Sequence, residues 1–339
     1  MKKFRSLVLV LVLAFVLGAC NMNQSSGVFY TNPIGDMVDI GDPFVLKDDD
    51  GKYYMYATSI PAYGFHVWES DNLVDWSEPK VAFDSLQQPE PWASRDFWAP
   101  EVFKHNDTYY MTYSARNRQD SLRIAIATSS SPTGPFIDQN TDVINEEGSY
   151  IDGHIFMDDD GQAYLYYSKD NYENIIDGNN VSQIYGQRLS DDLLSVEGDP
   201  VLLTTPEQYW EDPNGDFQWN EGAFVLKHEG LYYLMYSSGF FGNSSYSVGY
   251  ATSEEPLGEF TKYENNPILR SDVANGISGP GHNSVTVGLD DETMYIVYHI
   301  HTYPDNPSGD RRPAMDVLYF DDDGILTVDG PTYTEQEVK

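Results

Sequence analysis

The sequence predicts an all-β chain folded as a five-bladed β-propeller, with four antiparallel strands per blade and its active site at the mouth of the central axis. A strand–turn–strand pattern recurs five times, beginning near residues 42, 100, 152, 221 and 282, a period of roughly 52 to 69 residues. Each copy is followed by a second pair of short strands, and four strands at such a period is the pattern of propeller blades. Long amphipathic helical patterns are absent. In their place stand short runs of Tyr, Val, Ile and Phe, cut by Asp-Gly, Asn-Asp and Gly turns.

The first residues stand apart from the repeats. Lys2, Lys3 and Arg5 precede an apolar run from Leu7 to Leu17, and Gly18-Ala19-Cys20 supplies a small-residue processing site, so 1–20 reads as a signal peptide. Leu17-Gly18-Ala19-Cys20 resembles the bacterial lipoprotein box, which implies a lipid on Cys20 and an exported protein held at the cell surface (or secreted). Cys20 is the only cysteine, which excludes an intrachain disulfide. Residues 21–31 read as a polar tether and 32–339 as one propeller domain.

The repeats follow in order. Gly41-Asp42-Pro43-Phe44-Val45-Leu46 leads through an Asp48-Asp49-Asp50-Gly51 turn to Lys52–Thr58. Trp98-Ala99-Pro100-Glu101-Val102-Phe103 turns at His105-Asn106-Asp107 into Thr108–Ser114. Ile151-Asp152-Gly153-His154-Ile155-Phe156 turns at Asp158-Asp159-Asp160-Gly161 into Gln162–Ser168. The fourth copy carries Glu221 and turns at His228-Glu229-Gly230. The fifth runs from Gly281-His282-Asn283-Ser284 to Met294–His299. The Asp-rich turns read as plain hairpin turns, since Asp-Gly suits the positive φ of a tight turn and the oxygen-ligand spacing of an EF-hand is absent.

With 54 acidic against 19 basic residues, the formal net charge is −35. Nucleic acid and anionic lipid surfaces both need basic patches, so neither is an expected partner. Cations such as calcium could be held by some of the acids.

Aligning the repeats puts Asp42, Glu101, Asp152, Glu221 and His282 at, or within a position of, one place. In a propeller the first strand of each blade lines the channel, so these side chains converge. Carboxylates gathered there raise one another's proton affinity, which lets one stay protonated while another stays ionised. Glycoside hydrolysis needs such a pair. The competing reading is that the acids only bond backbone amides at strand ends.

These residues resemble glycoside hydrolase family 43, five-bladed propellers acting on arabinose- and xylose-containing plant polysaccharides. The resemblance covers about residues 32–331 and rests on Gly41-Asp42-Pro43, Trp98-Ala99-Pro100-Glu101, Ile151-Asp152-Gly153, Asn220-Glu221-Gly222 and Gly279-Pro280-Gly281-His282-Asn283-Ser284. It implies Asp42 as general base, Glu221 as general acid and Asp152 as the carboxylate that orients the acid and raises its pKa. It also implies inversion, with base and acid roughly 6.5 to 9.5 Å apart. Trp98 is expected as a wall of the sugar pocket, and Trp219 and Trp92 as outer contacts. His282 is expected near the acids, touching the sugar or binding a structural calcium on the axis. Arg312 matches the late arginine that contacts the sugar, with Arg311 as the alternative. Glu101 is expected to be a structural or rim carboxylate. Ala223 departs from the family pattern, where many relatives carry proline, and this bears on specificity.

The implied function is release of L-arabinofuranose from arabinan or arabinoxylan, with no cofactor needed for the chemistry. A β-xylosidase or endo-arabinanase would use the same acids. A non-catalytic sugar-binding propeller is the reading from another class, and the three acids argue against it. The expected partner is an arabinose- or xylose-containing saccharide. A membrane enters only through the lipid on Cys20, and no obligate protein partner is expected.

Overall fold

The computed structural model describes residues 27–59 and 63–339, so the signal peptide, Cys20 and most of the tether lie outside the described residues. Three single-turn 3-10 helices are the only helical elements among the described residues, as an all-β chain requires. The main architecture is five four-stranded antiparallel sheets, each a meander of strands in chain order. Their lead strands are Gly41–Lys47, Ala93–His105, Tyr150–Met157, Glu221–His228 and Gly281–Val287. The second strands are Tyr53–Thr58, Thr108–Asn117, Ala163–Lys169, Leu231–Ser238 and Met294–His301.

Every lead strand packs against those of the sheets before and after it, and the fifth packs against the first. The five sheets therefore form a closed ring. Five apolar clusters fill the five gaps between successive sheets, the last joining the fifth sheet to the first through Val45, Met55, Tyr295 and Met315. Tyrosine and phenylalanine are prominent in the gap between the first and second sheets and in that between the third and fourth, where flat rings cover both pleated faces and some hydroxyls reach partners on the next sheet. Tyr56 donates to the Pro132 carbonyl (2.5 Å) and Tyr166 to that of Pro256 (2.7 Å), so two turns of like sequence anchor neighbouring sheets.

The Asp-rich turns also reach across gaps. Asp48 of the first sheet receives Lys104 (2.5 Å) and the Tyr109 hydroxyl (2.6 Å) of the second. Asp158 of the third receives Lys227 (2.5 Å) and the Tyr232 hydroxyl (2.5 Å) of the fourth. They are turns, with Gly51 and Gly161 at φ 80° and 84°, and they are also clasps.

Residues Val28–Tyr30, read from sequence as tether, form a strand paired with Gln336–Val338. Their bulky β-favouring side chains set them apart from the polar run before them.

Candidate active site

All five lead strands begin with the same irregularity. The ladder to the second strand slips just after Gly41, Trp98, Ile151, Glu221 and Gly281, and the next residue sits at positive φ in every case. Those residues are Asp42 (53°), Ala99 (44°), Asp152 (59°), Gly222 (61°) and His282 (49°). Such a bulge unpairs one residue and re-aims its side chain. Here three of the five bulged residues, Asp42, Asp152 and His282, line one cavity.

The freed amides are bonded in a repeating way. Thr58, Ser114 and Ser237, in the later half of their second strands, accept from Ala99 (2.8 Å), Asp152 (2.9 Å) and His282 (2.7 Å) of the following sheet. The His299 ring nitrogen Nδ1 accepts from Asp42 (3.2 Å), which places that ring's proton on Nε2. Burial holds the His299 pKa down at about 3, so this ring is neutral. The third sheet breaks the pattern. Asp152 Oδ2 itself takes the Gly222 amide (3.0 Å), and the buried Ser168 hydroxyl has no hydrogen-bond partner among the described residues. One catalytic candidate is thereby tied to the residue after another.

A cavity of about 430 Å3 opens where the bulges meet, lined by Asp42, Trp98, Asp152, Glu221, His282 and Arg311, among others. Within it the carboxyls have different surroundings. Burial alone would raise Asp42. Arg311 (2.7 Å to Oδ1), with His282 nearby, instead holds it well below the usual carboxylate range, and the Thr58 hydroxyl donates to Oδ2 (2.5 Å). Gly41 makes room for this contact, since a Cβ there would meet the guanidinium carbon at 2.1 Å. Asp152 has no such clamp, and burial pushes it up to about 6, the Asp42 charge adding and His282 opposing. Glu221 is pushed well above its ordinary value, first by burial and then by the Asp152 charge. The Tyr246 hydroxyl, donating to Oε1 (2.8 Å), opposes the rise.

Behind the acid lies a buried ion pair. Lys262 donates to Glu211 (2.6 and 2.8 Å) and to Asn220 Oδ1 (3.2 Å), and Asn220 donates to Glu211 Oε1 (3.1 Å). Satisfied in this way, the pair fixes the residue just before Glu221.

The other residues singled out in the sequence lie in different places. Arg312 does not line the cavity: it donates to the Met37 (3.0 Å) and Gly35 (2.7 Å) carbonyls, while its neighbour Arg311 faces Asp42. Adjacent residues of a strand point to opposite faces, and the pairing of Arg311 with His301 decides which one turns inward. Glu101 lies two residues past the bulge position. It bonds the His154 ring (2.7 Å) and lines a second cavity, of about 440 Å3, further along the lead strands. Trp92 packs on the cluster between the first and second sheets and donates to the Tyr113 hydroxyl (3.1 Å), away from the catalytic cavity. His282 has Asp42 Oδ1 3.4 Å from Nδ1, but that oxygen already receives a guanidinium. No group of three or more His, Cys, Asp or Glu side chains among the described residues could hold a metal ion.

Sequence reading also missed Tyr246, His299 and Asp170, a fourth carboxylate at the cavity whose Oδ1 takes the Tyr172 amide (3.1 Å). The recurrent Thr or Ser late in the second strand was a visible signal. Its partner one sheet away was not.

A family model described as glycosyl hydrolases family 43 matches residues 30–326. The crystal structure of a thermostable family-43 glycoside hydrolase is 54% identical, with TM-score 0.89, covering 91% of this chain and 98% of that one. A β-D-galactofuranosidase of Aspergillus niger is 30% identical, over 82% of this chain and 78% of its own length. An extracellular exo-α-(1→5)-L-arabinofuranosidase of Streptomyces avermitilis is 25% identical, over 91% of this chain and 66% of its own length.

Proposed function

The chain belongs to glycosyl hydrolase family 43 and is a glycoside hydrolase, and from that premise we propose an exo-acting, inverting α-L-arabinofuranosidase, built as a five-bladed propeller with its active site at the axial mouth. The observation that carries the reaction is the opposite titration of two carboxyls at one cavity: Asp42 kept ionised by Arg311, and Glu221 kept protonated by burial beside Asp152. Pairs whose environments separate their pKa values in this way divide into base and acid. The closed ring of five sheets supports the propeller. The names of two relatives, both furanosidases, support a five-membered sugar ring.

In this reading Asp42 takes a proton from water as the water oxygen bonds the anomeric carbon. Glu221 gives its proton to the glycosidic oxygen as the bond from that carbon breaks. The sugar leaves inverted, and solvent returns the proton from Asp42 to Glu221. Asp152 keeps Glu221 protonated and holds the Gly222 amide. Trp98, His282 and Arg311 line the sugar's side of the cavity.

The test compares p-nitrophenyl α-L-arabinofuranoside, the matching β-D-xylopyranoside and an arabino-oligosaccharide. Turnover of both arabinosides is expected, with little on the xyloside. Asp42→Asn should lower kcat on both arabinosides by about 10²- to 10⁴-fold. Glu221→Gln should cost far more on the oligosaccharide, because a nitrophenolate needs little protonation to leave. Preference for the xyloside would overturn the sugar assignment, and full oligosaccharide activity in Glu221→Gln would overturn the acid.

A further inference from the structure

Beyond the three acids, the cavity has one apolar side. Trp219, two residues before Glu221, lies nearly parallel to Phe217 (centroids 6.3 Å apart, 21° between planes) and touches Phe240 (5.7 Å). Phe240 meets Phe241 (5.0 Å), and the Arg311 guanidinium sits over the Phe241 ring (5.0 Å). Four rings thus form a ledge from the acid to the arginine that clamps Asp42, and all four line the catalytic cavity.

The ledge is built and held in place. Between the second and third strands of the third sheet, Ile175–Ile176 pairs with Asn179–Val181, and that strand runs parallel to Phe217–Gln218. The added three-stranded sheet fixes the backbone of Phe217. Phe240 lies in a turn closed by the Asn243 amide on its carbonyl (3.0 Å). Even so, Phe217 is 53% and Phe240 42% exposed. Rigid rings left in water beside a reaction centre gain free energy when an apolar surface covers them.

We propose that this ledge is the leaving-group subsite, where the apolar faces of sugar rings in a neutral saccharide chain stack while its terminal sugar is cleaved. The proposal rests on Glu221 as the acid, because the oxygen it protonates belongs to the departing saccharide, which must then lie against Trp219. A neutral chain is favoured over one rich in uronic acids by the net charge of −35 and by Asp170 at the same cavity.

The experiment compares methyl α-L-arabinofuranoside, whose leaving group is too small to reach the ledge, with an arabino-oligosaccharide, in the wild type, Phe217→Ala and Phe240→Ala. Each substitution is expected to lower kcat/KM on the oligosaccharide roughly three- to tenfold more than on the methyl glycoside. Equal loss on both substrates, or no loss on either, overturns the ledge. Should the wild type cleave neither, the proposed reaction fails, and oligosaccharide titration followed by calorimetry decides the ledge alone. Saturable binding weakened in Phe240→Ala sustains it, and binding absent or unchanged overturns it.

Discussion

Asp42 and Asp152 occupy the same bulge position in their sheets, yet their surroundings displace the two carboxyl pKa values in opposite directions. Burial raises both, and the difference lies in what opposes it: the Arg311 guanidinium overrides it at Asp42, whereas at Asp152 His282 and the Gly222 amide oppose it only in part and the Asp42 charge adds to it. Asp152→Asn keeps an oxygen for the Gly222 amide and removes a negative charge near Glu221. That charge raises the acid's proton affinity, so its loss lowers the Glu221 pKa. The alkaline limb of kcat/KM should therefore move to lower pH, and a pH–rate profile with an unmoved alkaline limb would count against this role. The sequence made all three acids legible because each stands near the head of a strand that leads into a recognisable hairpin turn. It left Arg311 and Arg312 open because strand facing depends on register with a partner strand.

At the scale of elements, the repeated unit is a bulge whose amide is capped by a hydroxyl late in the previous sheet's second strand. Ser114 fills this role beneath Asp152, so Ser114→Ala would orphan a buried amide and should cost about 1 to 3 kcal/mol. Ser168 is the equivalent residue of the third sheet, but Asp152 has taken its amide. Ser168→Ala removes a hydroxyl without a partner and should be neutral within about 0.5 kcal/mol. Denaturant unfolding of the two variants checks the contrast, and equal losses would refute it. Gly222 serves the same unit: it holds φ 61°, and a Cβ would stand 3.2 Å from His282 Nδ1. The strand pattern was plain in the sequence, but the one-residue slip was not, because both sides of a bulge keep the alternation of an ordinary strand.

Across the whole molecule, the ring closes through its apolar gaps and through clasps such as Asp48 with Lys104 and Tyr109, and Asp158 with Lys227 and Tyr232. Partners hold both aspartates below their ordinary pKa against the effect of burial, which alone would raise them. A carboxylate with a depressed folded pKa contributes stability above its unfolded value, near 4. That contribution is lost as pH falls through the lower folded value. Asp48→Asn and Asp158→Asn should each lower Tm at neutral pH, and together should flatten the fall in Tm below about pH 4. The two clasps bridge different gaps, so their effects should add. An acid limb unchanged in the double variant would show that other carboxylates govern acid unfolding.

The order of residues is enough to establish the all-β class, the five repeats, the turns between paired strands and the acids near the strand heads. Each of these is written locally, in side-chain alternation, turn residues and a period, and needs no partner to be read. The folded chain alone shows which arginine meets Asp42, a contact spanning 269 residues, that Glu101 pairs with His154, and that four rings line the cavity together. Those outcomes rest on a one-residue slip at the head of each lead strand and on contacts between sheets. Both follow from closing the ring, so no single stretch of chain contains them.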